Sequence, residues 1–197
     1  CSAIPAPYRE RGQMAYETGR RIVEMAREDL RPSRILSRDA FLDAIVVNAA
    51  IGGSTNAQPH LTAMARHAGI ALTATDWTEV GQRVPLLLNM QPAGQFLGER
   101  FHRAGGVPAV MWELQQAGLL RTQRPTVTGR SMAANLEGRE TRDREVIFPV
   151  ATPLKADAGF VVLSGNLFDF AILKASVISP AFRERYLEDG AFEARAI

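Results

Sequence analysis

Ile51-Gly52-Gly53-Ser54-Thr55-Asn56 is the stretch that most narrows what this chain can fold into. It reads as a turn that opens into a helix. Gly52 and Gly53 can take positive φ or let another backbone come close. Ser54 or Thr55 can cap the helix by accepting a backbone N–H bond. Residues 57–68 then carry a helical pattern, and Gly69 stands where a C′ glycine would end it. Pro59 falls within the first turn or so, where a missing N–H matters least. A glycine-rich turn before a helix N-terminus exposes unpaired N–H groups and the positive end of the dipole. Such a place can hold a carboxylate or phosphate. The same residues also describe a well-capped turn packed against a neighbour, and capping is the commoner use of such chemistry.

Upstream, Pro5 and Pro7 imply an extended start over residues 1–7. Met14, Thr18, Ile22, Met25 or Ala26, and Leu30 recur at helical spacing, so a long helix is expected over residues 8–30. Glu10, Glu17, Glu24 and Glu28 read as its solvated face. Ser37 is the expected N-cap of a second helix over residues 38–50, although Ile45-Val46-Val47 is β-branched enough for a strand. Downstream, Thr75 introduces a short helix over 76–81, and Pro85-Leu86-Leu87-Leu88-Asn89 reads as a buried strand. Residues 94–104 look helical, Gly105-Gly106 breaks them, and the helix resumes over 107–117 before Gly118. Thr126-Val127-Thr128 suggests a short strand and residues 131–136 a weak helix. The alternation of helices with short apolar strands is that of an α/β fold.

The character changes near Arg139, where the charge-rich residues 139–145 are expected as an exposed linker or loop. Apolar runs at 146–148, 160–163 and 170–174 follow, with Gly165-Asn166 between the last two. A first domain over 1–145 and the start of a β-rich second one over 146–197 are therefore expected. Two or three strands do not form a stable sheet alone, so the second domain reads as incomplete. Beginning at Cys1 rather than Met, the chain reads as a processed or truncated product.

At 46% hydrophobic and 22% charged, the 197 residues suit a globular protein with a sizeable core. The net charge of +2 comes without a dense Lys/Arg block, so no nucleic-acid partner is expected. No apolar run reaches membrane-spanning length, so no membrane partner is expected either. One cysteine excludes an internal disulfide framework and fits a reducing, cytoplasmic setting. His60 and His67 stand seven apart on one predicted helix, whereas helical metal pairs usually stand three or four apart. His102 lies beside Gly105-Gly106, as a pocket or a surface residue. There is no nucleophile elbow, P-loop or dinucleotide fingerprint.

The run NAAIGGSTNAQPHLTAMARHAGI (48–70) resembles the family that contains dihydroxy-acid dehydratase, 6-phosphogluconate dehydratase and the sugar-acid (aldonate) dehydratases. SAIPAPYRERGQMAYETGRRIVEM (2–25) resembles the segment after that family's last cluster cysteine, and FHRAGGVPAVMWELQQAGLL (101–120) resembles its HRAGG helix region. GFVVLSGNLFDFAILKAS (159–176) is similar to the stretch where its second domain starts. Four blocks in order cover nearly the whole chain. The resemblance implies the C-terminal part of a layered α/β domain followed by the start of a β-rich, barrel-like second domain. It implies a hydro-lyase that converts a 2,3-dihydroxy acid to a 2-keto acid. Ile4-Pro5 and Ala49-Ala50-Ile51-Gly52 lean toward the aldonate branch, with arabinonate or xylonate as substrate, ahead of dihydroxyisovalerate. An iron–sulfur cluster, Mg²⁺ and a homo-oligomer, dimer or tetramer, are implied for the full-length protein.

The family's cysteine motifs, Cys-Asp-Lys metal motif and C-terminal serine motif are not among these residues, and no ligand role is carried onto Cys1. No catalytic or metal-binding residue is therefore assigned here. Ser54, Thr55 and Asn56 are the candidate substrate-binding residues. The alternative is a non-catalytic α/β binding module, or an inactive product of the same ancestry, whose ligand site is the Gly52-Gly53 turn. A purified 197-residue product is expected to show no turnover of arabinonate or dihydroxyisovalerate in a 2-keto-acid assay. Measurable turnover would require a mechanism independent of the missing motifs.

Overall fold

The computed structural model describes residues 4–182 and 184; Cys1 lies outside them. Helix α1 spans Arg9–Arg27, α2 Pro32–Ile35, α3 Arg38–Ala50 and α4 Ala57–His67. There follow α5 (Ala74–Gly81), α6 (Gly98–Arg103), α7 (Gly106–Gln116) and α8 (Met132–Leu136). Strands β1 (Phe160–Leu163) and β2 (Ala171–Lys174) pair antiparallel, with Phe160 opposite Lys174 and Leu163 opposite Ala171. The architecture is thus mixed: more helix than strand, with one small sheet among the described residues.

Helix α3 is the centre. Ser37 caps it as expected, its Oγ accepting the Ala40 N–H at 3.3 Å. The β-branched stretch is helical because its side chains are needed in the core: Ile45, Val46, Ala49 and Ala50 are all buried. A helix apolar on nearly all sides belongs in an interior. Around it pack Trp77 of α5, Val110 and Leu114 of α7, and Phe160 of β1. Trp77 meets Phe160 edge-on, with ring centroids 5.1 Å apart. Val146 and Ile147, just past the charged linker, are buried in this same core.

Several expectations need correction. Helix α5 starts at Ala74 and is introduced by Thr73, not Thr75: Thr73 and Asp76 form a capping box. Burial pushes the Asp76 carboxyl up, but the Thr73 N–H, the Arg38 guanidinium and the Thr73 hydroxyl outweigh it and hold it below the ordinary value. Leu86, Leu87 and Leu88 are buried and extended but join no ladder. Leu86 bridges to Lys155 and Leu88 to Ile147, while the Leu87 N–H donates to the Ala50 carbonyl at 2.9 Å. Two different segments and a helix end therefore share the bonds a neighbouring strand would take. Residues 126–128 are not a strand, because the Thr126 hydroxyl and backbone close a local turn onto Arg130. Only 98–103 of the stretch expected to be helical at 94–104 is helix. On α1 the expected apolar stripe has Met25 buried, but Met14 and Ile22 are exposed. No helix among the described residues is long and apolar enough to cross a membrane.

Asp43 of α3 is 2% exposed, a carboxylate inside the core. It accepts the Arg121 N–H and Nη1 at 3.1 Å and Arg124 Nη2 at 2.7 Å. Its desolvation is offset only while both arginines stay in place. Asp43→Ala is expected to lower unfolding free energy by about 3–5 kcal/mol, the range for breaking a buried pair. Denaturant melts at constant slope would measure it, and a loss below about 1 kcal/mol would show that the pair does not hold this core.

Candidate functional site

The two glycines end α3 before they begin anything else. The Gly52 N–H donates to the Ala49 carbonyl at 3.0 Å and the Gly53 N–H to the Asn48 carbonyl at 2.8 Å. With Gly52 at φ 62°, this is a Schellman closure. Gly53 is required for a different reason. A Cβ there would stand 1.8 Å from Asn48 Oδ1, so the Asn48 side chain occupies the space. Asn48 Nδ2 then donates to the Ser54 carbonyl at 3.1 Å. Asn48 thus ties the helix end to the turn with both its backbone and its amide.

The entry into α4 differs from expectation. Asn56 occupies the N-cap position, and no side chain caps the helix. Ser54 Oγ accepts the Asn56 N–H at 3.1 Å, one residue short of a capping bond. The Ala57 and Gln58 N–H groups donate to the Ser54 and Thr55 carbonyls at 3.2 and 3.1 Å, and Pro59, the third helical residue, has no N–H. The first helical donors are therefore largely satisfied within the turn. What stays unpartnered among the described residues is the amide N–H of Ser54 and of Thr55, the Thr55 hydroxyl and the Asn56 side-chain amide. Ser54 and Asn56 are exposed and Thr55 is half-buried. Helix α4 ends as expected, with Gly69 at φ 73°.

The turn rests on two other elements. A Cβ at Gly52 would meet Leu86 Cδ1 at 3.0 Å and Ser176 Oγ at 3.5 Å. Lys174 Nζ, at the end of β2, donates to the Gly52 carbonyl at 3.1 Å. Sequence reasoning missed Asn48, Lys174 and Ser176. The only signal was a polar residue at the end of an apolar run, as in Ala171-Ile172-Leu173-Lys174. The assembled site offers amide and hydroxyl donors and one ammonium, and no carboxylate. It can hold an oxyanion.

The other singled-out residues lie elsewhere. His60 and His67 are both exposed on α4, and only His67 lines the shallow hollow formed with Gln58, Thr62 and Arg66. His102 packs edge-on against Tyr8, with centroids 5.8 Å apart. Tyr8 in turn donates to Glu99, which also accepts from Arg103; these bonds hold the Glu99 carboxyl below its usual range. No group of three or more His, Cys, Asp or Glu side chains comes together among the described residues. An iron–sulfur cluster needs thiolates and Mg²⁺ needs carboxylate oxygens, so the described residues do not fit either group.

Comparison with known proteins agrees with the order of motifs. The sequence model of the N-terminal part of the dihydroxy-acid/6-phosphogluconate dehydratases matches residues 1–135. A D-xylonate dehydratase of Caulobacter vibrioides is 63% identical over the whole chain. An L-arabinonate dehydratase of Rhizobium leguminosarum is 44% identical over 91% of it, and a dihydroxy-acid dehydratase of Caldanaerobacter subterraneus 41% over 90%. The chain spans only 34%, 31% and 32% of these relatives' own lengths. On these matches the chain belongs to the dihydroxy-acid/6-phosphogluconate dehydratase family.

Proposed function

We propose that this chain is part of a hydro-lyase that dehydrates a 2,3-dihydroxy acid to a 2-keto acid. The substrate is an aldonate, xylonate or arabinonate, ahead of dihydroxyisovalerate. The observation that carries this reading is the 63% identity, along the entire chain, to a D-xylonate dehydratase. Dehydration removes a proton from C2 and hydroxide from C3, and the enol formed rearranges to the ketone. The described residues hold no group placed for either step, so their share is binding. Ser54, Thr55 and Asn56 receive the acid, with the two unpaired amides and the hydroxyls donating to its carboxylate. The iron–sulfur cluster and Mg²⁺ implied by the resemblance take their ligands from outside the described residues.

The same reading makes residues 1–145 part of a layered α/β domain and 146–197 the start of a β-rich, barrel-like one. The family match ending at 135 and the first ladder at 160–174 support that division. Burial of Val146 and Ile147 against α3 makes it a packed boundary. A cytoplasmic homo-oligomer, dimer or tetramer, completes the proposal.

The test uses the full-length protein. Its kcat/KM is expected to be highest for D-xylonate, lower for L-arabinonate and lowest for 2,3-dihydroxyisovalerate, measured as 2-keto acid formed. Activity on none of the three overturns the reading.

The turn is tested separately, by replacing Ser54, Thr55 and Asn56 singly with Ala in that protein. Loss of a purely local bond is expected to cost about 0.5–2 kcal/mol of stability with turnover intact. Loss of a substrate donor lowers kcat/KM by about tenfold with little change in melting temperature. The binding role predicts the second pattern for at least one of the three.

A further inference from the structure

Lys174 carries a charge that the described fold does not neutralise. An ammonium has three N–H donors. That of Lys174 has one partner among the described residues, the Gly52 carbonyl, and no carboxylate pairs with it. Other well-placed cations are matched: Arg38 with Asp76, Arg100 with Asp143 and Glu145, Arg124 with Asp43. Lys174 is half-buried, so its charge is partly desolvated and a counter-ion there is favourable.

A second observation points the same way. Ser176 is 2% exposed, and its hydroxyl has no hydrogen-bond partner among the described residues. It faces the turn, 3.5 Å from the Cβ position of Gly52. An unsatisfied buried hydroxyl is unfavourable, so one facing a candidate binding turn asks for a ligand. Its backbone is fixed: Lys155 Nζ donates to the Ser176 and Ile178 carbonyls at 2.9 and 3.0 Å. The end of β2 is thereby clamped beside Gly52.

We propose that Lys174 is the counter-charge for the substrate carboxylate at the Ser54-Thr55 turn, with Ser176 as a supporting donor. Ser54 is two residues from Gly52, within roughly 8 Å at Cα. Lys174 Nζ already lies against the Gly52 carbonyl, at the start of that short span. The carboxylate then lies between an ammonium supplied by β2 and the two unpaired amides of the turn. The glycine at 52 leaves the space, and the hairpin contributes a residue to a site that begins at the end of α3. This inference rests on reading the turn as the acid's binding site.

The test compares Lys174→Gln and Lys174→Arg in the full-length protein with D-xylonate. Gln keeps a donor for the Gly52 carbonyl and removes the charge; Arg keeps both. Lys174→Gln is expected to raise KM about ten- to a hundredfold, the range of a charge-assisted hydrogen bond, with kcat and melting temperature little changed. Lys174→Arg should leave KM within a factor of about three. Ser176→Ala should raise KM about two- to tenfold. Wild-type turnover with an unchanged KM in Lys174→Gln removes this proposal alone, and earlier melting with unchanged KM shows that the lysine only pins the turn. A wild-type protein that neither binds nor turns over D-xylonate, L-arabinonate or dihydroxyisovalerate removes the reading of the turn, and this proposal with it.

Discussion

Ile45, Val46, Ala49 and Ala50 bury α3 on several sides at once, and everything else in the described structure is arranged around that burial. A helix so enclosed cannot leave its polar groups to water. Asp43 is answered by two arginines from the segment after α7. The carbonyl of Ala50 is answered by the Leu87 N–H, which draws the apolar 86–88 segment alongside. The carbonyls of Ala49 and Asn48 are answered by the two glycines. The site is thus set by how a buried helix ends.

That origin changes the meaning of the glycine pair. Read forward, Gly52-Gly53 prepares a helix N-terminus; in the structure it first closes the helix behind it. The N-terminal donors of α4 are then mostly taken by local carbonyls and by Ser54 Oγ. The dipole of α4 still favours an anion. Yet the donors that remain, at Ser54 and Thr55, lie before the helix and not within its first turn. The ammonium of Lys174 reaches the turn from β2, at the Gly52 carbonyl.

The chain belongs to a dehydratase family and spans about a third of its relatives' own length. The described residues supply donors, a cation and packed walls. Among them no group of three or more His, Cys, Asp or Glu side chains comes together. Val146 and Ile147 lie past the charged linker, yet they are buried in the same core as α3. The β-hairpin is therefore held against the helical part, and a residue on it can serve a turn more than a hundred residues earlier, as the 122-residue separation of Lys174 and Gly52 illustrates.

The core decided that residues 45–47 are helix and not strand, but local chemistry alone determined the Ser37 cap of α3, α4 with its Gly69 end, and both strands of the hairpin. Each depends on neighbours within a few positions, where periodicity and capping are strong signals. Motif order alone determined the family. Tertiary structure decided the rest. Whether Leu86-Leu87-Leu88 would pair as a strand depended on which backbone lay beside it, and the neighbours were a helix end and two separate segments. Whether the stripe on α1 would be covered depended on what packs there. That Lys174 and Ser176 meet at Gly52 could not be read from spacing, because contacts across a fold follow from packing of distant segments and leave no local period in the chain.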